Sequence, residues 1–427
     1  MTHGLRLTAY ADTAAVDGAT AGARRLRAHR GAGLWGALMV VLATALTASP
    51  QDQSAPQWQD VVRNLRHPKP EVRLEAVERL GSAAYVTAAE PVALLLLDLD
   101  PRVQAAAIDA ELSFFLADHP DSGFKSRAQA AFETGPLVRG AAPAPTVVID
   151  RLIAAIRDET PRVSFDAIHA VGFIAETPLS AGQVQALSAE LHDHYDPVIR
   201  AAIARVLGRL RAREASDALV VALADSSPIV RLYATEALGL LREPRVADPA
   251  RGVVARGKGE IVAASLLALA RVGDRDDVEL FRRMLNDRNA HLRRAAAEGL
   301  GRAGDVDSGD KLTQAMSTDR ADEVRLAAAF ALQRLGQTES HVIAAMLVLP
   351  DQRAQARDYL LELGHSAAPG VESALEVATN ARHRADLVRM LGYVGSEENR
   401  PTLDGLQQDR DEHVRRAAAT AIARLQR

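Results

Sequence analysis

The sequence contains no cysteine. Disulfides, thiolate zinc sites, a cysteine nucleophile and a lipoprotein anchor each need one, so all four are excluded. Aromatic residues make up only 4% of the chain, and only four of its 51 basic residues are lysine. Alanine, leucine, valine and arginine are abundant instead, and alanine, leucine and arginine are good helix formers. This composition favours an all-α fold with thin, alanine-packed helix contacts.

The chain also lacks an excess of positive charge. Its formal net charge is −4 and its pI is about 6.3. Nucleic-acid binding needs a basic face that contacts phosphates. We therefore predict no nucleic-acid partner.

The N-terminus has the layout of a secretory signal. Four arginines lie between residues 24 and 30, residues 31–48 carry no charge, and residues 49–56 form a polar linker. Basic, apolar and then polar sequence is typical of such signals. Residues 43–45, Ala-Thr-Ala, fit the small-x-small cleavage rule. Cleavage after residue 48 would remove five arginines and two aspartates and leave a net charge of −7.

An uncleaved anchor is the alternative for this segment. Uncharged sequence runs from Gly31 to Gln51, just long enough to cross a bilayer. The basic flank would then hold residues 1–30 in the cytoplasm. A third interpretation is a buried helix of a soluble protein. We expect an exported chain, either periplasmic or secreted, or tethered to the membrane through residues 31–51.

From residue 57 to residue 427 the chain repeats one pattern. An apolar residue (position 0, usually Val) is followed by Arg at +1 and by apolar residues at +4, +7 and +8. The clearest copies are Pro70–Gly81, Pro228–Gly239, Ala290–Gly301, Asp322–Leu332 and Glu412–Ile422. Weaker copies begin at Pro101, Pro161, Pro197, Glu260, Gln352 and Arg384. Where no copy intervenes, the spacing is 31 or 32 residues, as from Arg200 to Arg231 and from Arg293 to Arg325.

The pattern predicts a repeating helical hairpin. The apolar spacing is that of an amphipathic helix, and Pro in its first turn loses no hydrogen bond. Glycine at the far end predicts a left-handed helix cap at residues 81, 208, 239, 273, 301 and 336. One hairpin cannot bury both of its faces, so the units must stack. We predict an α-solenoid (superhelix) of about eleven hairpins, with an irregular insertion at residues 118–150.

The copies resemble the HEAT-like repeats named after the phycobilisome lyases. Residues 296–305, Ala-Ala-Glu-Gly-Leu-Gly-Arg-Ala-Gly-Asp, are similar to the family consensus. The resemblance implies a right-handed superhelix. It does not choose a function, because the family includes scaffolds, bilin lyases, a di-iron hydroxylase and relatives of DNA glycosylases.

Motifs for catalysis or metal binding are scarce. The di-iron members use His-Glu doublets, and this sequence has none. His192-Asp193-His194 has metal-like spacing, but no third ligand is evident, and a solvated turn is the simpler interpretation. We predict no catalytic residue, no cofactor and no resident metal.

Two columns of the repeat are candidates for partner binding, because equivalent positions of a solenoid line up along one face. The +6 column contains Glu78, Asp109, His169, Glu236, Glu298 and Phe330. The +1 column contains Arg200, Arg231, Arg293 and Arg325. For both columns the alternative is internal pairing, either within a helix or between repeats.

Together these features predict a protein–protein interaction scaffold outside the cytoplasm that binds its partner on a concave face. The alternatives are an enzyme or cofactor-binding member of the lyase type, or a membrane-anchored assembly or sensor protein. The sequence leaves the partner's identity and the oligomeric state open.

Overall fold

The repeated segments form helices in a computed structural model, which describes residues 58–116 and 143–425. All of these residues belong to one compact unit, residues 56–427. They contain eleven hairpins, each with a first helix and then a second helix of equal or greater length. The clear Pro-Val-Arg copies of the sequence are second helices. The prediction of an all-α solenoid of about eleven hairpins is confirmed.

The helices are numbered in chain order, so that odd numbers are first helices and even numbers are second helices. The first four hairpins are α1 (Trp58–Asn64) and α2 (Pro70–Ser82), α3 (Ala89–Ala93) and α4 (Pro101–Phe115), α5 (Thr146–Ala155) and α6 (Pro161–Ile174), and α7 (Ala181–Asp193) and α8 (Pro197–Arg209). The next four are α9 (Ser216–Ala222) and α10 (Pro228–Leu241), α11 (Ala247–Arg256) and α12 (Glu260–Val272), α13 (Val278–Met284) and α14 (Ala290–Ala303), and α15 (Gly309–Thr318) and α16 (Asp322–Arg334). The last three are α17 (Ser340–Ala345) and α18 (Pro350–Leu363), α19 (Ala368–Val377) and α20 (Ala381–Val394), and α21 (Arg400–Leu406) and α22 (Glu412–Leu425).

Polar residues start several second helices. The side chains of Asp100, Asp196 and Asn289 each accept a hydrogen bond from the backbone N–H two residues later. These bonds satisfy donors that have no partner inside the helix. Proline at the first position of α4 and α8 loses nothing there, because its missing N–H would not be bonded within the helix.

The second helices of successive hairpins pack directly against each other. Alanine dominates their contacts, as in the buried Ala327, Ala328, Ala329 and Ala331 of α16. Small side chains allow two helix backbones to approach closely. The thin contacts expected from the composition are therefore present.

Four of the six glycines predicted as helix caps have another role. Only Gly273 and Gly336 have positive φ angles, 74° and 95°. Gly81, Gly208, Gly239 and Gly301 lie inside second helices, where each faces an alanine of the next second helix. A Cβ atom on Gly301 would lie 2.5 Å from the Cα of Ala331. The cap prediction is wrong at these four positions, because close packing between helices also requires glycine.

Several sequence predictions lie outside the described residues. These are the signal or anchor at residues 1–48, the linker at 49–56 and the part of the 118–150 insertion up to residue 142. Of the rest of the insertion, residues 146–150 belong to α5. Within the described ranges, no helix has the length and apolar character needed to span a membrane.

Candidate functional site

The +1 arginines connect neighbouring repeats. Arg200 on α8 makes two hydrogen bonds to Asp225, which lies before the next second helix, at 2.9 and 3.0 Å. Equivalent two-point contacts join Arg73 to Asp98, Arg293 to Asp319 and Arg384 to Asp409. The donor and acceptor side chains of the Arg200–Asp225 pair are only 12% and 14% exposed.

Each acceptor aspartate also organises its own turn. Asp225 accepts the backbone N–H of Ser227 at 2.8 Å, and its carbonyl oxygen accepts a hydrogen bond from Arg231 at 2.7 Å. Arg325 makes the equivalent bond to the carbonyl oxygen of Asp319 and also pairs with Asp322. The four predicted arginines of this column, Arg200, Arg231, Arg293 and Arg325, are thus held within or between repeats.

The +6 residues differ in exposure. Glu78 is exposed, while Asp109, His169 and Glu236 are half-buried. Glu298 and Phe330 are 1% and 0% exposed, so they offer no surface to a partner in this structure. The expectation that these two face a partner is corrected, because α18 covers them. Arg205 occupies the equivalent position of α8.

The second-helix row curves sharply between α10 and α18. Arg242 at the end of α10 lies 2.7 Å from Glu362 near the end of α18, four hairpins later. Packed helices lie about 8–10 Å apart, so four straight steps would separate these helices by about 32–40 Å. The two side chains cannot bridge that distance. The row therefore bends towards its own face, and the face that carries Arg242 and Glu362 is the inner face.

A buried carboxylate lies at the centre of this inner face. Glu298 on α14 accepts hydrogen bonds from Arg302 at 2.7 Å, Arg294 at 3.1 Å and the Tyr359 hydroxyl of α18 at 2.5 Å. Burial opposes its ionisation, but the nearby guanidinium groups of Arg302, Arg294 and Arg271 lower the pKa of Glu298 to about 2. Glu298 is therefore an anion held entirely by protein groups.

Glu362 is the second carboxylate of this region. Arg302 donates two hydrogen bonds to it, both at 2.9 Å. Arg242 and Arg334 approach the same carboxylate at 2.7 and 3.5 Å. Glu362 on α18 thus connects the ends of α10, α14 and α16.

Helix α18 crosses the inner side of α16. The Tyr359 ring stacks on Phe330 with a centroid distance of 4.3 Å, and Gln355 donates a hydrogen bond to the carbonyl oxygen of Glu323 at 2.8 Å. Because α18 lies there, residues all around α16 are buried, including Leu326 and Leu332.

A second group of inner-face side chains lies towards the N-terminus. Arg209 lies 5.1 Å from the ring centre of Phe173, and Arg205 lies 5.7 Å from that of Tyr233. His169 donates from Nδ1 to the carbonyl oxygen of Phe165 at 2.8 Å. Burial lowers the pKa of His169 to about 4, so its ring is neutral at physiological pH.

The histidines of the metal-like triplet are used locally. His194 is buried, accepts the backbone N–H of Asp196 and contacts the carbonyl oxygen of Ile156 through its other ring nitrogen. It thus occupies the turn position that Asp225 holds in the next repeat. His192 pairs with Asp193 at the surface. Among the described residues, no three histidine, aspartate or glutamate side chains are arranged to hold a metal ion.

Sequence reasoning missed the +10 column, one helical turn beyond +6. This column places Arg209, Arg302, Arg334 and Glu362 on the inner face. The same 31- to 32-residue spacing that aligns the +6 residues also aligns these. The pairing of Arg302 with Glu362, by contrast, depends on the curvature.

Stacked helical hairpins with a curved second-helix row define an α-solenoid. The family model for HEAT repeats matches residues 184–270, 256–333 and 368–427. The chain is a HEAT-like repeat protein.

Solved structures with similar folds include an engineered protein and the complex of CpcE and CpcF of phycocyanin lyase from Nostoc sp. PCC7120. The engineered protein is 17% identical over 87% of this chain and 99% of its own, with a TM-score of 0.39. The lyase complex is 20% identical over 67% of this chain and 98% of that chain, with a TM-score of 0.36. Human deoxyhypusine hydroxylase is 19% identical over 66% of this chain and 96% of its own, with a TM-score of 0.28. With TM-scores this low, none of these likenesses bears on function. The comparison with curated proteins found no match.

Proposed function

We propose that the chain is a protein-binding scaffold that catalyses no reaction, and that its partner docks on the inner face of the second-helix row between α8 and α18. The observation that carries this proposal is the contact between Arg242 and Glu362 across four hairpins. It makes this face concave, and a concave face can surround a partner segment.

The side chains of the inner face suit protein recognition. Arginine and tyrosine are enriched among the residues that contribute most to protein interfaces. Arg205, Arg209 and Tyr233 are half-buried on this face. They are held by cation–π contacts, so little side-chain freedom would be lost on binding.

Photo-crosslinking in the native host tests the docking face. Tyr233 on α10 is replaced by p-benzoylphenylalanine, an aromatic residue of related shape. Val221 on the first helix α9, which is 61% exposed, receives the same replacement as a control. We expect an adduct of defined mass from position 233 and none from position 221. Adducts from position 221 alone, or equal adducts from both, would contradict an inner docking face.

We also propose that the protein works outside the cytoplasm, either free or tethered through residues 31–51. The basic, apolar and polar order of residues 24–56 supports this location. Cell fractionation and the intact mass of the natively expressed protein test it. A mature chain that begins near residue 46 or 49 in a soluble envelope fraction indicates release. An intact chain in the membrane fraction indicates a tether, and an intact cytosolic chain would refute export.

A further inference from the structure

The inner face carries one more arginine than its internal pairing uses. We define the arginine–glutamate cluster as Arg242, Arg271, Arg294, Arg302 and Arg334 with Glu236, Glu298, Glu323 and Glu362. Four of its arginines have a carboxylate partner within 4 Å. Among the described residues, Arg271 makes no hydrogen bond and no ion pair, although it is half-buried.

Arg271 lies close to the centre of this cluster. It belongs to the last turn of α12, and a Cβ atom on Gly273, two residues later, would lie 3.4 Å from the Cβ of Arg302. The charges of Glu298, Arg302, Arg294 and Glu236 all act on it. Glu298 already receives three hydrogen bonds, from Arg302, Arg294 and Tyr359. The nearest internal anion is therefore occupied by other donors.

A half-buried guanidinium with no partner is unfavourable, because it has lost part of its hydration and gained no hydrogen bond. Proteins retain such groups where a ligand supplies the missing partner. The five arginines and four glutamates of the cluster are one negative charge short of balance. A single carboxylate would restore it.

The cluster also shows which anion its arginines accept. Glu362 is a carboxylate presented by a helix that crosses the inner face, and Arg302 holds it through two parallel hydrogen bonds of 2.9 Å. Paired bonds of this kind match the planar guanidinium to a planar carboxylate. A partner segment that crosses the same face over α12 would present its carboxylate to Arg271 as α18 presents Glu362 to Arg302.

We propose that Arg271 is the anchor of a binding site for an acidic segment of the partner protein, and that a glutamate or aspartate of that segment completes the arginine–glutamate cluster. This inference rests on the proposed function and gives the partner its chemistry. It reverses the polarity expected from the +6 column alone, in which acidic residues would favour a basic peptide.

Fluorescence anisotropy with a labelled ten-residue glutamate peptide tests this site on the full chain. The variant is Arg271→Gln, which removes the charge and keeps most of the side-chain length. Arg283→Gln on the first helix α13 is the matched control, since Arg283 is exposed and makes no ion pair within the described ranges. We expect Arg271→Gln to weaken binding at least tenfold and Arg283→Gln to leave it within twofold. We also expect a labelled glutamine peptide to bind at least tenfold more weakly than the glutamate peptide.

Folding is monitored alongside binding. Because Arg271 has no internal partner, Arg271→Gln should retain the circular dichroism and the unfolding midpoint of the parent chain. Binding that is unchanged in Arg271→Gln would overturn the proposal, as would equal displacement of the peptide by inorganic phosphate at the same concentration. An unfolding midpoint that falls in Arg271→Gln would overturn it too, since it would show that Arg271 has an internal structural role.

The crosslinking experiment separates this proposal from the proposed function. If position 233 still forms its adduct in the Arg271→Gln background at the parent yield, the inner face binds a partner but Arg271 does not recognise it. If position 233 forms no adduct in either background, the docking face itself is wrong.

Discussion

The contact between Gly208 and Ala237 gives a sharp test of how the second helices stack. A Cβ atom on Gly208 would lie 2.6 Å from the Cα and 2.7 Å from the Cβ of Ala237. Carbon atoms pack at about 3.5–4.0 Å, so Gly208→Ala must push α8 and α10 apart by about 1 Å. Such overpacking costs about 1–3 kcal/mol. Alanine would recover about 1 kcal/mol through its better helix propensity. We therefore expect Gly208→Ala to lower the free energy of unfolding by about 1–2 kcal/mol.

Urea unfolding, together with amide hydrogen exchange in α8 and α10, measures this effect. Exchange is needed because long repeat arrays can unfold in parts. Gly182→Ala is the control, because Gly182 lies in the first turn of α7 and a Cβ atom there would have no neighbour within 4 Å. It should raise stability by up to about 1 kcal/mol. If Gly208→Ala were as stabilising as Gly182→Ala, close backbone contact would not be the reason for glycine at position 208.

Three further substitutions test the pairing inside and between the repeats. Arg200→Leu should lower the free energy of unfolding by about 2–5 kcal/mol, because it leaves the largely buried Asp225 without its main partner; urea unfolding measures the loss. Tyr359→Phe should lower it by about 1.5–3 kcal/mol at pH 7, because it removes a hydrogen bond to the charged Glu298; urea unfolding at that pH is again the assay. Asp166→Asn should raise it above pH 6, by up to about 3 kcal/mol, because burial raises the pKa of Asp166 from 3.8 to about 6; unfolding between pH 4 and pH 7.5 shows the change.

Each of these has a control or an opposing result. The exposed pair Arg416–Glu412 should contribute no more than about 0.5 kcal/mol, so an equally small loss in Arg200→Leu would refute the role of the +1 column as a connection between repeats. Unchanged stability in Tyr359→Phe would show that α18 is not held by this hydrogen bond. For Asp166, the folded state prefers the protonated form. Its stability cost is therefore absent below pH 3.8 and complete above pH 6, and an offset that does not vary with pH would contradict the raised pKa.

The internal use of the +1 arginines affects where a partner can bind. Arg200 and Arg293 donate their hydrogen bonds to the aspartates of the following repeats. A ligand would have to break those pairs before it could use these arginines. The inner-face arginines differ, because Arg271 has no such pair within the described residues. The chemistry of recognition is therefore expected away from the column that the sequence makes most conspicuous.

The sequence by itself determined the repeat, the helices and their number. Position 0 and positions +4, +7 and +8 place apolar residues on one side of each second helix, and that periodicity is local. Turn residues such as Asp100 and Pro101 start the helix through contacts two residues away. Local rules are sufficient for features whose causes lie within one hairpin. The same rules failed for Gly208 and Gly301, because the reason for those glycines lies in the next repeat.

Only the tertiary structure decided which side chains meet across repeats. The pairing of Arg242 with Glu362 joins residues 120 positions apart. It depends on the small rotation at each hairpin accumulating over four steps, and no local pattern encodes that sum. The same curvature brings Tyr359 to Glu298, buries Phe330 under α18 and leaves Arg271 without an internal partner. Repetition of sequence therefore fixed the columns, while the superhelical path selected which members of each column are buried, paired or available to a ligand.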